Sequence, residues 1–213
     1  MLILVLSDIH GRVEKIKKIV SLLHNQGVEL ALVLGDLTNL GGEKQAEDVL
    51  NALKGFEAMA IAGNFDTMEV ARFLERRGVS LHGKARKVGE WSFAGFGGGL
   101  VGSPGGFLFS EEDIKAGLEN ALAKKSSAIL ATHLPPFGTG IDKCYTGAHV
   151  GSKAVRKIIE DFKPALHLCG HCHEASGEAK IGETKSINVG AVSEGKALLL
   201  DLGKELKWER IQV

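Results

Sequence analysis

The sequence predicts an α/β protein with two sheets, more parallel in its first half and antiparallel toward its end. Three observations carry this. Short continuous apolar runs alternate with segments of helical spacing through the first third of the chain. The rhythm then shortens around residues 79–97. From about Ala179, alternating runs are joined by turn residues such as Asp201-Leu202-Gly203, the pattern of antiparallel strands.

Leu2–Leu6 is apolar throughout and reads as a strand buried on both faces. Val13, Ile16, Ile19, Val20 and Leu23 follow at helical spacing, with Gly27 expected as the residue that ends the helix. Leu30–Leu34 is a second buried strand, Glu43–Leu53 a helix, Phe56–Ala62 a third strand and Met68–Arg77 the next helix. Strands and helices alternating over short connections imply crossover units and a largely parallel sheet. Trp91–Phe96 is a strand, and the glycine-rich stretch from Gly95 to Gly106 reads as a loop rimming the site; it has no P-loop lysine. Ser110 with Asp113 forms a capping box that opens a helix running to about Lys124. Ala128–Thr132 is another buried strand, residues 133–150 a long loop, and Ser152 caps a helix ending near Phe162. Ala165–Cys169 is a strand, and Ile187–Val189, Ala197–Leu200 and Leu206–Ile211 make up the tail.

At 213 residues, with no internal repeat or linker, the chain is expected to form one domain over 1–213. Lys plus Arg equals Asp plus Glu at 26 each. Without a basic stripe, nucleic acid and anionic membrane surfaces are poor candidates as partners. No apolar stretch approaches the roughly 20 residues of a membrane span, and Met1–Leu6 is too short for a signal peptide, so a cytoplasmic protein is expected. Three cysteines argue against a disulfide framework, and Cys169 and Cys172 read as small buried hydrophobes.

The chemistry concentrates in five short pieces. Asp8 and His10, Asp36, Asn64 with Asp66, His133, and His171 with His173 each follow an apolar run that reads as a strand. Residues two apart in extended backbone project to the same side, so Asp8 with His10 and His171 with His173 can each reach one small volume. Parallel strands bring their C-terminal ends together, where ligands of open α/β sheets bind. A carboxylate offers two oxygens, which suits Asp36 to bridging two cations. Nitrogen and oxygen donors without sulfur favour Mn, Fe, Zn, Co or Ni over Ca or Mg. Each of these residues alone has an ordinary reading as a cap, a turn residue or a satisfied polar group. Seven of them, all but Asp66, standing together at matching strand ends have no such shared reading. His24, His82 and His167 lack this company and are expected to be structural or exposed, whereas His149, on the long loop, is a candidate substrate contact.

With its Asp8-x-His10, Gly35-Asp36, Gly63-Asn64, His133 and Gly170-His171-x-His173, the chain resembles the calcineurin-like metallophosphoesterases. Thr132–Thr139 and Gly147–Ser152 look like the small prokaryotic phosphoesterases related to the Icc protein. The resemblance implies a four-layer α/β/β/α sandwich with two divalent metals, manganese foremost. It assigns Asp8, His10, Asp36 and His173 to the first metal, and Asp36, Asn64, His133 and His171 to the second. It further implies hydrolysis of a small phosphate ester, a nucleotide among the candidates, by a metal-held hydroxide.

Phe65 stands where the family has a histidine that assists leaving-group protonation, together with the acidic residue that Asp66 matches. Phenylalanine donates no proton, so activated leaving groups and diesters are expected ahead of alkyl monoesters, with Asp36, Asp66 and His149 as the catalytic candidates. The alternatives are a non-catalytic binding scaffold on the same fold and a metal-dependent nuclease.

Overall fold

The computed structural model describes residues 1–123 and 127–213. Strands β1 (Leu2–Leu6), β2 (Val28–Leu34) and β3 (Glu57–Ile61) alternate with helices α1 (Val13–Leu22), α2 (Glu43–Ala52) and α3 (Met68–Arg76). Then come β4 (Lys84–Val88), β5 (Trp91–Phe96), the short β6 (Gly99–Leu100) and β7 (Leu108–Phe109), α4 (Glu111–Leu122) and β8 (Ala128–Thr132). Helix α5 (Lys153–Phe162), β9 (Leu166–Cys169), β10 (Gly177–Ile181), β11 (Thr184–Asn188), β12 (Lys196–Leu202) and β13 (Leu206–Gln212) complete the chain.

Two mixed sheets result, a five-stranded one in the order β13-β12-β1-β2-β3 and a six-stranded one in the order β10-β11-β9-β8-β5-β4. Successive residues of a strand face opposite ways, and here both ways are apolar. Ile3, Val5, Leu32, Met59, Phe93, Ile129 and Leu168 fill the space between the sheets. Leu4, Leu6, Ala31, Val33 and Ala60 meet Ile16, Val49 and Phe73 of α1, α2 and α3 on the outer face of the first sheet. Ala94, Leu130 and Phe96 meet Leu118 of α4 and Ile158 of α5 on the second. The layers are helix, sheet, sheet, helix, as the resemblance implies.

Most elements lie where the pattern puts them, give or take a residue or two at helix and strand ends. The capping box is formed: Asp113 N–H donates to Ser110 Oγ at 3.1 Å, and Ser110 N–H donates to Asp113 Oδ2 at 3.2 Å. The expected end of that helix at Lys124 lies outside the described residues. Helix α1 stops at Leu22, so Gly27 (φ +71°) belongs instead to the turn before β2. Asn25 and Gly27 are poor helix formers and leave nothing to extend it.

The antiparallel reading of the tail holds for β12 with β13 and for β10 with β11, but β11 also runs parallel to β9. The tail is therefore shared between the two sheets. All three cysteines are free, with Cys169 and Cys172 buried. Among the described residues no helix is long and apolar enough to cross a membrane.

Candidate metal centre

The proposed ligands sit at or just past the C-terminal ends of β1, β2, β3, β8 and β9. The chain there is forced into an unusual backbone: Asp8 (φ 54°), His10 (49°), Asp36 (51°) and His171 (70°) are all left-handed. Each such non-glycine residue costs about 1–3 kcal/mol and persists only where the surroundings impose it; such residues gather at functional sites. Gly170 is needed for another reason, since a Cβ there would collide with Ser7 and the Asp8 carboxylate.

The side chains form two groups that share one atom. In the first, His173 Nε2 lies 3.2 Å from Asp8 Oδ1 and 3.3 Å from His10 Nε2, which in turn lies 3.8 Å from Asp36 Oδ2. In the second, Asn64 Oδ1 lies 2.8 Å from His133 Nε2 and 3.0 Å from His171 Nδ1, and His133 Nε2 lies 3.5 Å from Asp36 Oδ2. Metal–ligand bonds of about 2.1 Å place adjacent ligand atoms roughly 3 Å apart, the spacing seen here. The two oxygens of Asp36 have different surroundings. Its Oδ1 accepts from Phe65 N–H at 2.7 Å, and Oδ2 alone faces both groups.

Hydrogen bonds around the site aim its donors inward. His133 Nδ1–H donates to the Leu34 carbonyl at 2.8 Å; a carbonyl only accepts, so Nε2 is left with its lone pair toward the centre. The Asn64 amide nitrogen donates to the Pro104 carbonyl at 2.9 Å, which turns Oδ1 toward His133 and His171.

Asp8, Asp36 and Asp66 are all buried, and among the described residues no Lys or Arg pairs with any of them. Burial, then the charges of Asp8 and Asp66, pushes the Asp36 carboxyl well above the usual carboxylate range. Burial acts the same way on Asp8, but His173, His133 and Ser7 outweigh it and hold that carboxyl below the range. Burial, reinforced by His133, pushes His171 down to about 3. Asp8 Oδ1 is buried without a well-formed hydrogen bond. Unpaired buried carboxylates are costly unless a cation compensates them, so the donor set, its spacing and this orphaned oxygen all fit two divalent cations.

A sequence model described as calcineurin-like phosphoesterase matches residues 1–175. The chain belongs to the calcineurin-like phosphoesterases. It is 32% identical over 196 residues to the uncharacterized protein MJ1162 of Methanocaldococcus jannaschii, covering 88% of this chain and 87% of that one. Among solved structures, TT1561 of Thermus thermophilus superposes with a TM-score of 0.78 at 20% identity, covering 99% of this chain and 98% of that chain. A structure described as a novel archaeal phosphodiesterase gives 0.58 at 16% identity, covering 100% of each. These structures share the calcineurin-like fold with this chain.

Asp66, a catalytic candidate on its sequence position, is fully buried and held by four hydrogen bonds. Its carboxylate accepts from Gly63 N–H (2.9 Å), Leu37 N–H (3.1 Å), Thr38 N–H (2.8 Å) and Thr38 Oγ1 (2.9 Å), tying together the loops that carry Asp36 and Asn64. Phe65 packs edge-on against His10, ring centroids 5.7 Å apart.

A cleft of about 460 Å³ opens beside the second group, lined by Asn64, Phe65, Val101, Phe137, His149 and His171. Clefts of about 570 and 700 Å³ lie elsewhere, away from every ligand. The glycine-rich stretch rims this cleft as expected and also supplies the Pro104 carbonyl to Asn64. His82 sits among Phe96, Phe107 and Phe109, and burial pushes it down to about 4. His167 is fully buried, so both are structural.

Sequence reasoning missed Asp142, buried beside His149, and Asn188, whose amide donates to the Cys172 (2.8 Å) and Ile141 (3.2 Å) carbonyls and braces the loop of His171 and His173. A polar residue inside the apolar run around Ile187 was the signal available for Asn188.

Proposed function

We propose that the chain is a phosphoesterase of two divalent metal ions, manganese foremost, that cleaves small phosphodiesters in preference to monoesters. The observation that carries this reading is the position of Asp36 Oδ2, 3.8 Å from His10 and 3.5 Å from His133, between two complete ligand groups. Asp8, His10, Asp36 and His173 would hold one ion, and Asp36, Asn64, His133 and His171 the other. Bound there, two cations supply Lewis acidity toward the phosphoryl oxygens and an acidified water as nucleophile.

The remaining work falls to the chain itself. Asp66 and the Phe65 N–H keep Asp36 in place. The cleft walls of Phe65, Val101 and Phe137 offer apolar surface to an ester group. Lys153 is the single Lys or Arg among the described residues lining the cleft, and it lies over the Phe137 ring, 5.4 Å from its centroid. A site this poor in fixed cations suits a singly charged diester better than a doubly charged monoester. The kinship in fold to an archaeal phosphodiesterase supports the same choice. A complete inward-aimed ligand set supports a catalyst over a scaffold, which would need none of it.

The experiment is to strip metal, restore Mn²⁺, and compare bis(p-nitrophenyl) phosphate with p-nitrophenyl phosphate. Metal-dependent turnover with the diester faster is the expected result; a monoester cleaved as fast or faster would overturn the preference.

A further inference from the structure

We propose that Asp142 and His149 deliver the leaving-group proton in this site, His149 as the acid and Asp142 as the residue that positions it. The inference rests on the phosphodiesterase reading and addresses the role that Phe65 leaves open.

Asp142 lies in the long loop after β8 with no exposed surface. Its carboxylate is held by the N–H groups of Gly138 and Thr139, each at 2.9 Å. The same carboxylate accepts from His149 Nδ1 at 2.8 Å. A carboxylate only accepts, so Nδ1 carries the proton and Nε2 is the ring nitrogen left for chemistry.

The backbone holds the pair in register. Val150 N–H donates to the Asp142 carbonyl at 2.9 Å, and Lys143 and His149 form an antiparallel bridge. The His149 ring packs against Phe137, centroids 5.7 Å apart, and lines the cleft shared with Asn64, Phe65 and His171. A histidine oriented by a buried carboxylate and lining the cleft beside the ligand groups is the arrangement that general acid catalysis needs.

A water oxygen forms the new bond to phosphorus, and the bond from phosphorus to the leaving oxygen breaks with its electron pair staying on that oxygen. The protonated His149 gives its Nε2 proton to that oxygen, and the products are a phosphate monoester and an alcohol. The proton lost by the attacking water returns through solvent to His149.

The test uses the full chain loaded with Mn²⁺ and a series of methyl aryl phosphates whose leaving groups run from p-nitrophenol to phenol. General acid help is worth about 10²–10⁴-fold for a poor leaving group and little for a good one. His149→Ala should therefore lose activity on that scale toward the phenyl ester while the p-nitrophenyl ester changes little, and added imidazole should restore the phenyl ester. Asp142→Asn should lower kcat for the phenyl ester with KM unchanged. Its effect is read against thermal melting, because Asp142 also holds the turn at Gly138 and Thr139.

A His149→Ala loss equal across the series, no loss at all, or no rescue by imidazole would overturn the pair while leaving the phosphodiesterase reading standing. A wild-type chain that cleaves none of the esters would overturn both.

Discussion

Phe65 N–H donates to Asp36 Oδ1 at 2.7 Å, so the residue lacking the family's imidazole still orients the carboxylate on which both ligand groups depend. That bond leaves Asp36 Oδ2 free to face His10 and His133. Asp36→Asn replaces one carboxylate oxygen with a nitrogen that cannot ligate. Bound manganese should fall below two ions per chain, and diester hydrolysis should fall by at least about 10²-fold, the scale of losing one preorganised electrostatic contact. Metal analysis beside the esterase assay checks this; a variant holding two ions at full activity would refute the shared-ligand geometry.

Asp66 tests a different link, from packing to metal affinity. Asp66→Ala strands the buried N–H groups of Gly63, Leu37 and Thr38. A stranded buried donor costs about 1–3 kcal/mol, so a loss of roughly 3 kcal/mol is expected after partial relaxation. Manganese affinity should weaken by about 10–100-fold, as for other partners that orient ligands. Activity should return at high Mn²⁺, because no group of the chemistry has been removed. Failure to recover at saturating metal would give Asp66 a direct catalytic role.

The glycine-rich stretch makes a third prediction. A Cβ at Gly105 (φ 142°) would collide with the backbone of Asn64, whereas one at Gly140 meets open space. Gly105→Ala should push Asn64 off its bond to Pro104 and weaken manganese binding in the second group, while Gly140→Ala should leave it unchanged. Titration calorimetry with Mn²⁺ on the two variants decides, and equal binding by both would show that the loop merely covers the site.

His167 carries a pH prediction. Thr132 Oγ1–H donates to the Leu134 carbonyl at 2.6 Å, so Thr132 Oγ1 accepts from His167 Nε2–H at 2.8 Å, and Ser186 donates to Nδ1 at 2.6 Å. The ring is thus satisfied as the neutral form, and burial lowers its pKa from 6.5 to about 3. As pH falls through the unfolded value, the unfolded chain takes the proton and the folded one does not. Stability from this group is therefore full above about 6.5 and is lost progressively toward 3, by at most about 1.4 kcal/mol per pH unit. Denaturant midpoints between pH 7 and 5 should fall more steeply for the wild type than for His167→Gln. Parallel curves would count against it.

The sequence by itself determined the order of the strands and helices and named the candidate ligands that the fold brings together. Runs such as Leu2–Leu6 and Ala128–Thr132 are apolar on both faces because each strand is covered on both sides, and that is a local pattern. A polar residue just past such a run, as with Asp8 or His133, is visible for the same reason. Tertiary structure alone decided which sheet each late strand joins, because β10 and β11 carry no local mark that sends them to β9 while β12 goes to β1. It alone decided that Asp36 turns Oδ2 toward His10 and His133 while Oδ1 accepts from Phe65, that Pro104 turns the Asn64 amide, and that Asp142 lies buried against His149. Those relations join residues brought together by the packing of two sheets and their loops, and no spacing along the chain encodes a contact made across that interface.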